Sequence, residues 1–333
     1  MKIALIGSTG LLRCPTQLFA RIDRANGIDA TGVVFGRIPY FEFQTLMMNL
    51  SGYDIVHNMS DFPTFCRLGK NQIFVTTAHE MQPVLYPELN KVNRYTLRDR
   101  LWQLIKERYG TRAMIKSDYV IANSKLTAKG VVAAGMPKDR VFATPFGIEK
   151  EFLEKPLKRK GNGKKFKVGT VATMSAHKNT FFSIDAFRKV EGDNFEFEFW
   201  GGSNYPMEVV QDRIGGDKRI KLNGFAPEKE LVNVYDSFDV LSFPSLFEGF
   251  GIPIIEGKAR GLPVIIYKHG HYDDDVKKYC FEAEDEDDMA AIIERLKENG
   301  YNEKTRKKAL EDARQYTWER TAKLTIEAYR KIV

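Results

Sequence analysis

Short apolar runs alternate with helical patterns along the whole chain. The apolar runs predict strands at residues 3–7, 31–35, 54–57, 73–77, 119–122 and 141–144, and again at 168–172, 195–200, 220–222, 240–243 and 264–267. Helical periodicity extends over residues 287–298 and 317–333 near the end of the chain. Strands that alternate with helices form parallel sheets whose faces are covered by those helices. The pattern therefore predicts an α/β protein with doubly wound parallel sheets.

The predicted strand at residues 195–200 differs from the others because glutamates alternate with aromatic residues. Its sequence, Phe-Glu-Phe-Glu-Phe-Trp, places Glu196 and Glu198 on one face and the three phenylalanines on the other. Such alternation is typical of a strand with one solvated face. We expect this strand to be half exposed and to lie toward an edge of its sheet.

The chain is long enough for two domains. It has 333 residues, of which 43% are hydrophobic, and a typical domain contains about 150 residues. Residues 149–165 are rich in charge, contain Pro156 and two glycines, and lack apolar periodicity, which is typical of a linker. We therefore predict a domain at residues 1–148 and a second at 166–316, separated by a cleft that the carboxyl ends of both sheets face.

The cysteines and the lengths of the apolar runs indicate the cellular location of the protein. Cys14, Cys66 and Cys280 are far apart and include no Cys-x-x-Cys pair, which argues against a disulfide framework and a zinc site. The N-terminal apolar run is too short for a signal peptide, and no run approaches the roughly 18 residues that a membrane-spanning helix needs. We expect a cytoplasmic protein.

Positive charge is concentrated in the first half of the chain. Residues 1–150 carry 20 Lys and Arg against 12 Asp and Glu, and the whole chain has a net charge of +7. The most basic segment runs from Lys91 to Lys116, where apolar residues recur at helical spacing. A solvated helix face over an apolar stripe explains this pattern. A peripheral helix that binds anionic lipid on the inner face of a membrane, or another polyanion, explains it as well.

Residues 243–265 contain the clearest chemical motif, a strand followed by a glycine loop and a helix. Gly249 and Gly251 let the backbone approach a ligand closely, and free N–H groups at the start of the helix can hold a diphosphate. Pro253 suits the first turn of this helix. Glu248 precedes the loop and Glu256 follows eight residues later. One carboxylate can bind a ribose diol while the other binds sugar hydroxyls.

This segment resembles the Glu-x7-Glu signature of retaining GT-B glycosyltransferases, in particular glycosyltransferase family 4, or group 1. Residues 73–80, IFVTTAHE, resemble the family's strand that ends in His, and residues 120–124 its strand that ends in Ser. Residues 141–148 resemble the strand and Gly loop before the linker. Residues 317–333 resemble the C-terminal helix that crosses back to the first domain. The resemblance implies a GT-B fold, with two Rossmann-like domains that face each other across a cleft.

The resemblance assigns the donor side of the site to the second domain. It makes Glu256 the ribose ligand, Glu248 a catalytic contact of the donor sugar, and Lys178 the ligand of the diphosphate. The other donor contacts that it implies lie in two loops: Thr173, Gly249, Phe250 and Gly251. Relatives usually carry Arg where this chain has Thr173, so one of two phosphate-binding cations is absent. Lys178 and the two glutamates could otherwise be ordinary surface residues.

The resemblance assigns the other side of the site to the first domain. His79 matches a catalytic histidine that faces the transferred sugar, although a hydrogen-bonded core histidine is the alternative. The first loop, from Gly7 to Gly10, would supply N–H groups near the diphosphate or the acceptor, or is only a tight turn. Arg13 follows in this loop, and we hypothesise that it replaces the missing cation. Phe146 stands where relatives often carry Asn.

Residues 269–275, with the sequence HGHYDDD, contain residue types that bind metals. Asp273-x-Asp275 also resembles the metal motif of the other glycosyltransferase fold. The two-domain pattern does not fit that fold, and relatives have a donor-contacting turn at this place. We therefore predict that neither a metal ion nor a cofactor is required.

The predicted function is transfer of a hexose from a UDP- or GDP-linked sugar to an acceptor hydroxyl, with retention of anomeric configuration. The acceptor is a glycan, a lipid-linked glycan or a small molecule. A non-catalytic nucleotide-sugar-binding protein is the first alternative. A dinucleotide-dependent oxidoreductase, suggested by Gly7 and Gly10, lacks the third glycine and the acidic ribose ligand of that class. A nucleic acid acceptor for the basic segment is the least favoured alternative.

Overall fold

A computed structural model of the chain describes residues 1–8, 18, 21–22, 28–35, 50–59, 69–91, 110–154 and 165–333. The chain divides into two compact units. The first unit contains residues 1–147 together with 317–333, and the second contains residues 148–316.

The sheet of the first unit is parallel throughout. Its strands are β1 (Lys2–Ser8), β2 (Asp29–Phe35), β3 (Ile55–Asn58), β4 (Ile73–Ala78), β5 (Tyr119–Ala122) and β6 (Val141–Ala143), in the spatial order β2-β1-β3-β4-β5-β6. Every neighbouring pair is parallel. The chain leaves β1 in one direction for β2 and later returns to the other side of β1 for β3, so the strand order reverses between β1 and β3.

Helices of the described part of the first unit cover this sheet. They are α1 (Gln82–Leu85), α2 (Thr111–Ile115), α3 (Lys125–Ala133) and, at the chain end, α12 (Trp318–Ile332), and two turns of 3-10 helix lie at Pro87–Lys91 and Lys138–Arg140. Helix α3 begins where the Ser124 side chain accepts a hydrogen bond from the backbone N–H of Thr127, as in an N-cap. Short apolar side chains from α3 pack over β4 and β5.

The C-terminal helix α12 packs into the first unit, although it follows the second unit in sequence. Tyr329 is fully buried, and its hydroxyl lies 2.5 Å from Nδ1 of His57 on β3. The Thr321 hydroxyl donates to the carbonyl of Pro145 at 2.7 Å. At the start of the helix, the Thr317 side chain accepts from the backbone N–H of Arg320.

The sheet of the second unit is also parallel. Its strands are β7 (Phe166–Val171), β8 (Phe195–Trp200), β9 (Ile220–Leu222), β10 (Val240–Ser242), β11 (Val264–Tyr267) and β12 (Phe281–Ala283), in the order β12-β11-β10-β7-β8-β9. The chain builds β7, β8 and β9 outward in one direction and then restarts beside β7 with β10. The strand order therefore reverses between β7 and β10, where α/β sheets bind their ligands.

Helices connect the strands of the second unit. They are α4 (Lys150–Leu153), α5 (Thr180–Lys189), α6 (Met207–Ile214), α7 (Leu231–Asp236), α8 (Ile252–Ala259), α9 (Asp274–Lys277), α10 (Glu286–Asn299) and α11 (Glu303–Ala313), with a 3-10 turn at Glu228–Glu230. One core cluster contains side chains of α5, α6 and α10 and of the strands β7 and β8. Gly169 of β7 touches another part of the core closely, since a Cβ there would lie 2.3 Å from the Phe238 ring. The α/β class predicted from the sequence is confirmed.

The prediction that β8 is half exposed is wrong. Glu196 and Glu198 are buried, with 5% and 7% of their surface exposed. Lysines of the neighbouring strands cover them: the Nζ of Lys167 on β7 lies 2.6 Å from Glu198, and the Nζ of Lys221 on β9 lies 2.6 Å from Glu196. The aliphatic stems of lysines shield such carboxylates while their charges pair with them. The strand is second from the edge, between β7 and β9.

The beginning of the predicted linker is folded onto the second unit. Residues 150–153 form α4, and Phe152 is buried against Tyr235. The guanidinium of Arg260 forms paired hydrogen bonds of 2.7 Å with Asp236 and donates to three carbonyls of residues 151–154. Strand β12 and helix α11 were also absent from the sequence prediction.

Candidate functional site

The candidate site of the second unit lies at the point where its strand order reverses. The loop after β7 contains residues 172–179, and the loop after β10 contains residues 243–251. The backbone N–H of Leu246 donates to the carbonyl of His177 at 2.9 Å, so the two loops are joined at their centres. Both loops follow the carboxyl ends of central strands, which is the usual location of ligands in such sheets.

Lys178 and Glu248 meet in this place as an ion pair. The Nζ of Lys178 lies 2.6 Å from Oε1 of Glu248 and 5.4 Å from the centre of the Phe243 ring. Lys178 is held by the turn before α5, since its backbone N–H donates to the Ser175 hydroxyl and Asn179 adopts a left-handed conformation with φ of 50°. The side chain of Glu248 is 8% exposed and that of Lys178 is 21% exposed, so a ligand can reach the lysine more readily.

The loop that carries Glu248 is also fixed from its other side. The backbone N–H of Glu248 donates to the carbonyl of His271, and that of His271 donates to Leu246, both at 2.9 Å. The Tyr272 hydroxyl donates to the carbonyl of Ser245 at 2.5 Å. Burial, with a smaller effect of the nearby Glu248 carboxylate, raises the pKa of Tyr272 well above its usual value, so the hydroxyl keeps its proton. The backbone at Glu248 is therefore preorganised.

Glu256 lies on helix α8, directly after this loop. It is 2% exposed, and its Oε2 accepts a hydrogen bond of 2.6 Å from the Tyr235 hydroxyl. Gly251 begins the helix in a left-handed conformation with φ of 88°, which favours glycine, and Pro253 lies in the first turn. The first N–H groups of α8 and the carboxylate of Glu256 thus belong to one short helix.

Three other predicted donor contacts, Phe250, Gly249 and Thr173, lie in the same two loops. The Phe250 ring is 4% exposed and packs against Tyr316 at a centroid distance of 5.6 Å, so the ring belongs to the core of the unit. Gly249 lies between Glu248 and Phe250 in the same loop. Thr173 is exposed in the loop after β7, beside the bridge between Met174 and Ser203.

Residues of the HGHYDDD segment, 269–275, form contacts that stabilise the local structure. Nε2 of His269 lies 2.7 Å from Oε1 of Glu284, and Asp273 begins α9 by accepting from the N–H of Asp275. His271 contributes its backbone to the loop contacts described above. Within the described part of the chain, no three His, Cys, Asp or Glu side chains are grouped as a metal site.

His79 lies at the carboxyl end of β4 in the first unit. Its Nε2 is 3.0 Å from the carbonyl of Met59, which can only accept, so Nε2 carries the proton and Nδ1 of the neutral ring is an acceptor. The ring also contacts Phe146 at a centroid distance of 5.5 Å. Nearby, His57 is hydrogen bonded to Thr77 at 2.8 Å. Burial, followed by the repulsion that His57 and His79 would exert on each other if both were protonated, lowers the pKa of His57 to about 3.

The first loop and the basic segment are described only in part. Gly7 is buried in β1, paired with Val34 of β2, whereas Gly10 and Arg13 lie outside the described residues. Residues 92–109 of the basic segment also lie outside them. Arg112 and Lys116, at the end of that segment, are exposed around α2.

Sequence reasoning missed two residues that hold the candidate groups. Tyr235 is 21 positions before its partner Glu256, and only the packing of α7 on α8 brings them together. Asn123 follows β5, where its amide donates to the carbonyl of His79 at 2.7 Å, and its buried Oδ1 has no hydrogen-bond partner. The position of Asn123 after a strand that neighbours β4 was the signal available for it.

Comparisons with known proteins show which proteins this chain is similar to. Residues 152–316 match the family model of glycosyl transferases group 1. Amylovoran biosynthesis glycosyltransferase AmsK of Erwinia amylovora is 27% identical over 168 residues, which are 47% of this chain and 41% of the relative. O-antigen chain mannosyltransferase B of Escherichia coli is 22% identical over 273 residues, 77% of this chain and 70% of the relative. The chain thus spans less than half of the first relative.

Solved structures share the fold along the whole chain. Anabaena HepE in complex with UDP has a TM-score of 0.69 at 16% identity, with 99% of this chain and 100% of that chain covered. Sucrose-phosphate synthase from Thermosynechococcus elongatus has a TM-score of 0.74 at 18% identity, with 100% and 99% covered. The fold is therefore that of the GT-B glycosyltransferases, as the sequence predicted, and the family match supports a glycosyltransferase. In the described part of the chain, no helix is long and apolar enough to span a bilayer.

Proposed function

We propose that this chain of GT-B fold is a retaining hexosyltransferase of glycosyltransferase family 4 that uses a nucleoside diphosphate sugar as donor. The observation that carries the proposal is the position of Lys178, Glu248 and Glu256. Lys178 follows β7, whereas Glu248 and Glu256 follow β10, and the strand order of the second sheet reverses between these two strands. The proposed site combines a cation for the diphosphate with one carboxylate for the donor sugar and one for the ribose. The UDP complex of HepE is consistent with this assignment.

In the proposed site, Lys178 neutralises the negative charge that builds on the departing diphosphate. The N–H groups at the start of α8 add partial positive charge, and Glu256 accepts hydrogen bonds from the ribose diol. Glu248 accepts hydrogen bonds from hydroxyls of the donor sugar. Electrostatic stabilisation of the leaving group is the main contribution of these residues to the rate. We propose that it makes a divalent metal ion unnecessary.

His79 is the proposed contribution of the first unit. Its Nδ1 can accept a hydrogen bond from a sugar hydroxyl, because Nε2 is bound to Met59. Asn123 positions this histidine by binding its backbone carbonyl. For the reaction itself, we propose a front-face substitution in which the departing diphosphate helps to deprotonate the acceptor hydroxyl.

The acceptor is proposed to be a glycan or a lipid-linked glycan, presented by an anionic membrane surface. The support is the basic segment from Lys91 to Lys116, of which Arg112 and Lys116 are exposed. Flotation with anionic vesicles at physiological salt should recover the protein with the lipid and leave it behind with neutral vesicles. Absence of the protein from the anionic vesicles would remove this part of the proposal.

A panel of UDP-, GDP- and ADP-linked hexoses tests the reaction, with release of the nucleoside diphosphate as the readout. One donor should be consumed in the presence and absence of EDTA, and the anomeric configuration of the product should match that of the donor. His79→Ala should lower kcat by about 100-fold or more and leave binding of the nucleoside diphosphate unchanged.

One alternative keeps the site but not the reaction. Thr173 is exposed at the position where relatives usually carry a second phosphate-binding Arg. The absence of that positive charge favours a nucleotide-sugar-binding protein without catalysis. Binding of a donor without its transfer or hydrolysis would favour this alternative. If EDTA abolished activity and Mn²⁺ restored it, the proposal of a metal-independent reaction would be wrong.

A further inference from the structure

The ion pair between Lys178 and Glu248 has a consequence for the order in which ligands bind and leave. Lys178 is the cation of the proposed diphosphate site, yet its Nζ lies 2.6 Å from a carboxylate of the same site. Lys268, the other lysine of the edge loops at residues 172–179, 243–251 and 268–273, is paired with Glu284. All three loops lie in the described part of the chain. A diphosphate that approaches Lys178 therefore meets a cation that Glu248 already neutralises.

A diphosphate and Glu248 must compete for Lys178. A charged hydrogen bond between an ammonium group and a carboxylate is favourable when both are shielded from water, and the two side chains here are largely shielded. A diphosphate that binds Lys178 brings two further negative charges close to Glu248. The carboxylate then loses its partner and is left beside like charges.

A donor with its sugar and a product without it differ in what they offer to Glu248. In the donor, hydroxyls of the sugar can donate hydrogen bonds to the carboxylate, which replaces the lost contact with Lys178. After transfer, the nucleoside diphosphate provides no hydroxyl at that place. The Glu248 carboxylate then regains a charged partner by pairing with Lys178 again.

We propose that Glu248 selects the sugar-linked donor over the nucleoside diphosphate product by competing with the product for Lys178. This role rests on the proposed function and adds to it. The competing carboxylate lowers the affinity of the product and speeds its release, while the donor is spared because its sugar satisfies Glu248. The backbones of both residues are held independently, since the N–H of Lys178 donates to the Ser175 hydroxyl and that of Glu248 donates to the carbonyl of His271. The two side chains therefore start from fixed positions within reach of each other.

Glu248→Gln tests this role, because the amide keeps the shape of the side chain and removes its charge. Calorimetric titration of wild type and variant with UDP and GDP should show that the variant binds the preferred diphosphate about tenfold more tightly. UDP-glucose or GDP-mannose, whichever matches the preferred base, should change by less than about threefold, since the lost sugar contact offsets the gain. The preference for donor over product should therefore fall.

Two further variants show whether the gain acts through Lys178. In the background of Lys178→Met, adding Glu248→Gln should tighten binding of the diphosphate much less than it does when Lys178 is present, because only the direct repulsion between the carboxylate and the diphosphate remains to be relieved. Glu303→Gln, which breaks an exposed ion pair with Arg306 on helix α11, is the matched control and should leave all affinities unchanged. If Glu248→Gln does not fold, Glu248→Asp withdraws the carboxylate by one methylene and should give a smaller gain in the same direction.

The possible results separate this inference from the proposed function. If wild type binds a diphosphate and Glu248→Gln binds it equally or less tightly, Glu248 does not compete and the inference is wrong, while the proposed function stands. A gain of the same size in the Lys178→Met background would also overturn it, since it would then come from repulsion alone and not from competition for Lys178. If wild type binds neither diphosphates nor nucleotide sugars, the proposed function fails and the inference fails with it.

Discussion

Gly147 packs against the start of the C-terminal helix α12, and a single methyl group at this position should disrupt that junction. A Cβ on Gly147 would lie 2.2 Å from the backbone nitrogen of Trp318 and 2.3 Å from the carbonyl carbon of Thr317. Non-bonded carbon atoms normally approach to about 3.5 Å, so the two segments would have to separate by more than about 1 Å. Both contacts are with backbone atoms, so no change of side-chain rotamer can relieve the clash.

The separation would also disturb the contacts around this junction. Trp318 is 2% exposed and packs against Phe146 at a centroid distance of 5.6 Å, and the Thr321 hydroxyl is bonded to Pro145. Overpacking typically costs 1–3 kcal/mol, and we expect Gly147→Ala to lie at the upper end, at about 3 kcal/mol. For a unit of this size, that loss should lower the melting temperature by about 6–12 °C.

Differential scanning calorimetry of Gly147→Ala against wild type measures this effect. Gly52→Ala is the matched control, because no atom lies within 4 Å of the added methyl group. The control should change the free energy of unfolding by less than about 0.5 kcal/mol. If Gly147→Ala melts within a degree of wild type, the close packing of this glycine against the start of α12 does not exist in solution.

Three further substitutions probe the two units separately. The pKa of His57 falls from its usual 6.5 to about 3 on folding, so between those pH values only the unfolded chain gains this proton, and stability is lost as pH falls. In urea titrations from pH 7 to 5, His57→Gln should remove a total loss of about 2 kcal/mol, with a slope that approaches about 1.4 kcal/mol per pH unit near pH 5. Arg260→Lys should lower the free energy of urea unfolding by about 3 kcal/mol. Arg306→Lys, at a partly exposed arginine whose partner Glu303 is exposed, should lower it by less than about 0.5 kcal/mol. Tyr235→Phe removes the hydrogen bond to Glu256 and should weaken binding of the nucleoside diphosphate, measured by calorimetry, about fivefold. If the affinity does not change, Tyr235 does not contribute to the binding site.

Most strands of the two sheets could be predicted because they are short apolar runs bounded by turn residues. Strand β12 was missed since it contains only Phe281, Glu282 and Ala283, which form no apolar run. Helix α11 was missed because it buries little besides Ala309 and Ala313, so its sequence has almost no apolar periodicity. Local patterns carry little information about elements that bury so little surface.

The candidate site was predictable where its residues belong to one segment and not where they meet through the fold. Glu248 and Glu256 lie on one loop and helix, so their spacing could be interpreted directly. Their partners come from other elements. Lys178 was named through the family resemblance, but its pairing with Glu248 was not predicted, and Tyr235 was missed altogether. The burial of Glu196 likewise depends on Lys221 of a neighbouring strand, which no pattern within β8 can reveal.

The assignment of the ribose to Glu256 is the central claim, and calorimetry tests it most directly. UDP, GDP, ADP and NADH would be titrated into wild type and into Glu256→Ala, with melting curves to show that the variant is folded. We predict that wild type binds one nucleoside diphosphate in preference to NADH and that the variant binds it at least about tenfold more weakly. Binding of NADH alone, or undiminished binding of the diphosphate by a folded Glu256→Ala, would contradict the account.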